Sequence, residues 1–84
     1  MTKREKLLEE VRNNPRDVRF DDLVRLVKAL GFSFDRQGGS SHAIYVHTNP
    51  AVPFLNLQEG KNGKAKPYQV EQVLALVDAH KLEV

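Results

Sequence analysis

Phe32-Ser33-Phe34-Asp35-Arg36-Gln37-Gly38-Gly39-Ser40-Ser41-His42-Ala43-Ile44-Tyr45-Val46-His47 reads as two strands joined by a turn. In residues 32–37 phenylalanine alternates with polar side chains, the period-2 signature of a half-buried strand. Residues 43–47 carry the β-favouring Ile44, Tyr45 and Val46. Between the two runs, Gly38 and Gly39 permit a sharp turn or a positive φ. Ser40 and Ser41 add hydroxyls and backbone N–H groups, and His42 adds the side-chain type that titrates near neutral pH.

Residues outside this hairpin extend the same pattern. Downstream, Thr48-Asn49-Pro50-Ala51-Val52-Pro53 is a loop whose prolines forbid regular pairing, and Phe54-Leu55-Asn56-Leu57-Gln58 alternates again as a third strand. Glu59 to Lys66, with two glycines and three lysines, reads as a flexible connection. Pro67 suits the first position of a last helix, whose Val70, Val73, Leu74 and Val77 follow i, i+3, i+4, i+7 spacing. Upstream, Leu23, Leu26, Val27 and Leu30 have the same spacing, Asp21 and Asp22 suit the first turn, and Gly31 closes the helix. Residues 3–13 form a further short helix with a narrow stripe of Leu7, Leu8 and Val11, ended by Asn13-Asn14-Pro15.

The order α-α-β-β-β-α predicts an α+β fold, a three-stranded antiparallel sheet with helices on one face. Alternation predicts Phe32, Phe34, Ile44, Val46, Leu55 and Leu57 facing the helices. Ser33, Asp35, Tyr45, His47, Phe54, Asn56 and Gln58 then lie on the open face. By that parity His42 falls on the helix side, at the rim of the sheet, looking toward the lysine-bearing connection. A register slip of one residue inverts the assignment.

An 84-residue chain makes one small domain that buries roughly 60% of the surface of its unfolded form. There is no cysteine, which excludes disulfides, thiolate metal sites and a thiol nucleophile. After the basic N-terminus, Leu7-Leu8 gives way to Glu9-Glu10, which argues against a signal peptide. No apolar run reaches the ~20 residues of a membrane span, so a cytoplasmic protein with no membrane association is expected. Net charge is only +2, but Arg36, Lys61, Lys64 and Lys66 face Glu59 alone in residues 36–66. Such a local basic footprint suits a polyanion.

His42, His47 and His80 lack a common face and a carboxylate at ligand spacing, so neither a metal nor another cofactor is expected. His47 reads as an exposed strand residue, and His80 as a cation in a last helical turn. A serine nucleophile at Ser40 or Ser41 lacks an orienting partner, and the glycines do not have P-loop spacing. His42 on a turn of small residues is accessible, and the turn's N–H groups can hold a phosphate oxygen. On RNA, whose 2′-OH is a built-in nucleophile, one imidazole can serve as general base or general acid. Residue types alone leave this reading open beside that of a surface hairpin with an exposed histidine.

Gly31-Phe32, Arg36, Gly39-Ser40-Ser41-His42, Ile44-Tyr45 and His47, in this order of elements, resemble the HicA toxins of bacterial toxin–antitoxin pairs. Lys64-Ala65-Lys66-Pro67-Tyr68-Gln69-Val70 resembles a longer branch of that family. The likeness covers roughly residues 20–80. It implies a fold similar to double-stranded-RNA-binding domains, with residues 1–14 as an accessory helix and 15–84 as a toxin-like core. It also implies mRNA interferase activity with His42 catalytic, an mRNA substrate, and a HicB-type antitoxin that covers the site. The family's second basic residue on the third strand has no counterpart in Leu55-Asn56-Leu57-Gln58, which directs attention to Lys64 and Lys66. The expected site is therefore His42 with Arg36, Gly39, Ser40, Ser41, Lys61, Lys64 and Lys66 on phosphate, and no metal. Tyr45 and Phe54, on the open face, are the expected partner contacts. The alternatives are a non-catalytic RNA-binding module and a protein-interaction module of the same fold.

Overall fold

Thr2 starts the first helix, α1 (Lys3–Asn13), through a capping box: its hydroxyl accepts the Glu5 N–H at 3.2 Å while the Glu5 carboxylate accepts the Thr2 N–H at 3.1 Å. The computed structural model describes residues 2–39 and 42–84. Next come α2 (Phe20–Ala29), β1 (Phe32–Gly38), β2 (His42–His47), β3 (Leu55–Leu57) and α3 (Pro67–His80). The elements follow the order that the hydrophobic periods predict. The three strands form one antiparallel sheet with β2 in the middle.

One core holds the fold. Leu23, Leu26 and Val27 of α2 and Val70, Val73 and Val77 of α3 meet Phe32, Tyr45, Leu55 and Leu57 from the sheet, and Leu7 and Val11 of α1 join them. Burying each of the Leu, Val and Phe side chains among them is worth roughly 1.5–3 kcal/mol. A surface ion pair at 2.8 Å, Arg12 to Asp78, ties α1 to α3. The hydrogen bond from Arg12 holds the Asp78 carboxyl below its usual carboxylate range. That link is therefore present at neutral pH and is lost as pH falls through the lowered value.

The faces of β2 are the reverse of those predicted. Phe32 pairs with His47, Phe34 with Tyr45, and Tyr45 with Leu55, and directly opposed residues share a face. Tyr45 and His47 thus point at the helices, and Ile44, Val46 and His42 lie on the open side. Both faces of β2 carry large side chains, so alternation by itself does not choose between them. In β1, Phe34 and Arg36 pair with the adjacent residues Tyr45 and Ile44, which makes Asp35 the extra residue of a β-bulge. The bulge turns Arg36 to the open face, opposite Ile44. Phe34 keeps the predicted face but is 53% exposed, with its ring edge-on to Tyr45.

The connection from Glu59 to Lys66 is also tighter than expected. Isolated bridges pair Arg19 with Lys64 and Glu59 with Ala65, and a 3₁₀ turn spans Lys61–Gly63. The Gly60 N–H donates to the Lys64 carbonyl and the Ala65 N–H to the Val18 carbonyl, both at 2.8 Å. Ala65 is buried by this arrangement.

His47 fixes the register. Its Nε2 lies 2.8 Å from the Leu30 carbonyl at the end of α2, and its Nδ1 accepts the Asn49 N–H at 2.9 Å. With Nδ1 accepting, Nε2 carries the proton and donates to Leu30. Gly31 makes room for the ring: it sits at φ +106°, and a Cβ there would stand 2.7 Å from His47 Nε2. Gly31→Ala combines backbone strain with a displaced imidazole. It is expected to lower stability by roughly 1–3 kcal/mol in urea unfolding, with a smaller loss when His47→Ala is already present.

Candidate functional site

The inward position of His47 decides where His42 goes. His42 and His47 lie five positions apart along β2, an odd offset, so a strand that turns His47 inward turns His42 to the open face. His42 is half-buried at the strand's first position, opposite Gly38. Gly39 takes φ +46°, and a Cβ added there would lie 3.7 Å from His42 Nδ1. The imidazole therefore leans over the glycine turn. Ser40 and Ser41, expected beside it as phosphate ligands, lie outside the described residues.

The open face near His42 carries polar groups around the apolar Ile44. Arg36 and Asn56 both pair with Ile44, from β1 and β3, and so share its side of the sheet. Arg36 is exposed and holds Asp35 in an ion pair at 2.5 Å. Extending the β2–β3 register one residue past Ala43 and Leu57 sets Gln58 opposite His42. The Gln58 side-chain oxygen accepts a hydrogen bond from Lys66 Nζ at 2.7 Å. Lys66 is the N-cap residue of α3 and half-buried. Through Gln58, its ammonium is tied to the strand end that adjoins His42.

The other two lysines differ. Lys64 is engaged by the Asp17 carboxylate, so its charge is already paired. Lys61 is exposed in the 3₁₀ turn. Among the expected phosphate-binding residues, the structure thus places Arg36 on the strand beside β2, ion-paired with Asp35, and Lys66 at the start of α3 with its ammonium on Gln58, and it commits Lys64 to a surface ion pair. Tyr45 is only 7% exposed within the core, which corrects its assignment to the open face and removes it as a contact surface; Phe54 is 59% exposed.

Gln69 was not anticipated. Its side chain, 3% exposed, accepts the Gln58 N–H and donates to the Asn56 carbonyl, each at 3.1 Å. Asn56 carbonyl and Gln58 N–H flank Leu57 on the outer edge of β3, where a further strand would otherwise bond. One amide satisfies both groups and stops the sheet. The signal was present in the sequence: Gln69 lies four residues before Val73, on the buried stripe of α3, and a polar residue there needs internal partners. Gln58 and Asn56, read only as open-face residues, gain their meaning from it.

Among the described residues, no group of three or more His, Cys, Asp or Glu side chains could hold a metal ion. No helix among them is long and apolar enough to cross a membrane. A family model described as the HicA toxin of bacterial toxin–antitoxin matches residues 20–78. The chain belongs to the HicA toxin family. The match runs from the first residue of α2 into the last turns of α3, so the HicA unit contains the whole sheet and the His42 corner, and α1 lies outside it. Family membership makes this chain the toxin component of a toxin–antitoxin system. No curated protein and no solved structure matches it.

Gln69→Leu removes the partners of one part-buried carbonyl and one part-buried N–H. It is expected to cost roughly 1–3 kcal/mol in urea unfolding. Gln72→Leu, exposed on the same helix, should stay within about 0.5 kcal/mol of the parent.

Proposed function

We propose that this HicA toxin is an endoribonuclease that cleaves mRNA by internal attack of a ribose 2′-OH on the adjacent phosphate, with His42 as general acid or base. The observation that carries the reading is His42 on the open face with Arg36 on one neighbouring strand and Lys66 tied to the end of the other. An imidazole there can take the proton of the 2′-OH as it attacks phosphorus, or give a proton to the departing 5′ oxygen; either role contributes typically 10²–10⁴-fold. Lys66 supplies positive charge where the pentacoordinate transition state gains negative charge, and Arg36 adds to it once an RNA phosphate takes the place of Asp35 in its exposed ion pair. Gly39 brings the turn's backbone close to a phosphate, with Ser40 and Ser41 adding donors. Lys61, exposed on its turn, attracts the RNA backbone at longer range. In this reading the RNA provides its own nucleophile, so no metal is required.

The proposed inhibitor is a HicB-type antitoxin that covers the same face, with Phe54 among its contacts, and the proposed place of action is the cytoplasm. Residues 15–84 act as the toxin-like core and α1 as an accessory helix within one domain.

Cleavage of a labelled RNA in excess EDTA tests the assignment. His42→Ala should lower the rate by about 10²–10⁴-fold and Lys66→Met by roughly tenfold to a hundredfold, while a 2′-deoxy substitution at the cut site should block cleavage. Equal rates for the parent and His42→Ala would remove His42 from catalysis. Salt-dependent RNA binding without cleavage at any protein concentration would favour the binding-module alternative.

A further inference from the structure

At the start of α3, a large aromatic side chain stands in solvent beside the polar corner just described. Tyr68 is 62% exposed, yet its placement is restricted. Pro67 fixes the backbone before it, at the first position of the helix. The neighbouring Gln69 is anchored to β3 by two hydrogen bonds, and its Nε2 makes a long contact of 3.5 Å to the Tyr68 hydroxyl. The phenol hydroxyl thus lies near the anchored Gln69 amide while the ring faces water. Lys66, two residues earlier, holds its ammonium on Gln58.

We propose that Tyr68 is a nucleobase-stacking subsite, receiving a base of single-stranded RNA whose phosphate is bound by Lys66. The proposal rests on the ribonuclease reading of the His42 face and extends it to substrate binding. A nucleotide joins a flat π-surface to an anion, and this corner offers an exposed phenol ring two residues from an ammonium held on Gln58. Base–aromatic stacking tolerates any base because every base has a π-face. The surroundings favour RNA over a protein partner. A protein contact centred on tyrosine is ordinarily walled by other apolar groups, whereas Tyr68 is flanked by Lys66, Glu71 and Gln72, the last two exposed. Glu71, one helical turn on, repels phosphate, so the chain is directed toward the Lys66 side and from there to Gln58 and His42.

The test uses the full chain and a fluorescent 2′-O-methyl RNA oligonucleotide, which cannot be cut by 2′-OH attack, with binding read by anisotropy. A second oligonucleotide has the same phosphates and abasic sugars. Tyr68→Phe, which keeps the ring, should bind within about twofold of the parent, and Tyr68→Ser roughly tenfold to a hundredfold more weakly. The abasic oligonucleotide should bind weakly to the parent and no more weakly to Tyr68→Ser. Equal affinity of Tyr68→Ser and the parent for the base-bearing RNA overturns the subsite, and so does an equal loss on the abasic RNA, which would mean a structural effect. Should Tyr68→Ser not fold, Tyr68→Trp replaces it. The chain has no tryptophan, so this single indole should be quenched by the base-bearing RNA, and unchanged fluorescence at saturation overturns the proposal. Retained RNA affinity with lost antitoxin binding assigns Tyr68 to the protein partner instead, overturning it as well. If Tyr68→Ser still cleaves and binds RNA like the parent, only the subsite falls; if the parent neither binds nor cleaves RNA, the ribonuclease reading falls and takes the subsite with it.

Discussion

The hydrogen bond between His47 Nε2 and the Leu30 carbonyl is the constraint on which the arrangement of this protein turns. It joins the end of α2 to the end of β2, and it requires a glycine at 31 both for its φ of +106° and for the absence of a side chain. Once His47 points inward, alternation along β2 leaves no freedom. Tyr45 goes into the core, Ile44 and Val46 go to the open face, and His42 emerges on the open face beside the glycine turn. A histidine with two partnered ring nitrogens thereby orients a second histidine whose proposed work needs a reachable ring. The two differ in surroundings because of where β2 places them.

The opposite side of the corner is set by α3. Gln69 ends the sheet by giving β3 the bonds of a missing strand, and it does so from a helix that also contributes Val70, Val73 and Val77 to the core. Helix packing and strand termination are therefore one event. Gln58, held by its backbone to Gln69, in turn holds the Lys66 ammonium by its side chain. The charge that faces the proposed substrate is fixed by a buried amide, which keeps a flexible side chain near one position without a carboxylate that would neutralise it. Lys64, paired with Asp17, shows the other outcome.

The periodic elements were legible in the sequence because their patterns are strong. The apolar stripe of Leu23, Leu26, Val27 and Leu30, the matching stripe of α3, and the Phe32–Phe34 and Leu55–Leu57 alternations each allow one structure. The likeness of the chain to HicA toxins was also readable, and the family match over residues 20–78 bears it out. The face of β2 was not. Tyr45 and Ile44 are both large, β-favouring and apolar enough for a core, and the deciding contact lies between His47 and a carbonyl on another element. Nor does a sequence announce a bulge at Asp35, which looks like any polar residue of an alternating strand but carries Arg36 across the sheet. The stretch from Glu59 to Lys66 looked loose by composition. Its order comes from bridges to Val18 and Arg19, far away in the chain.

These features converge on one chemical claim, that His42 moves a proton during attack of a ribose hydroxyl on its own phosphodiester. The chemistry of the cut ends tests it most directly. Mass spectrometry of RNA fragments made by the purified toxin should find a 2′,3′-cyclic phosphate on the upstream piece and a 5′-hydroxyl on the downstream piece. Fragments ending in 3′-hydroxyl and 5′-phosphate would mean that water or another outside nucleophile attacked, and would contradict the account.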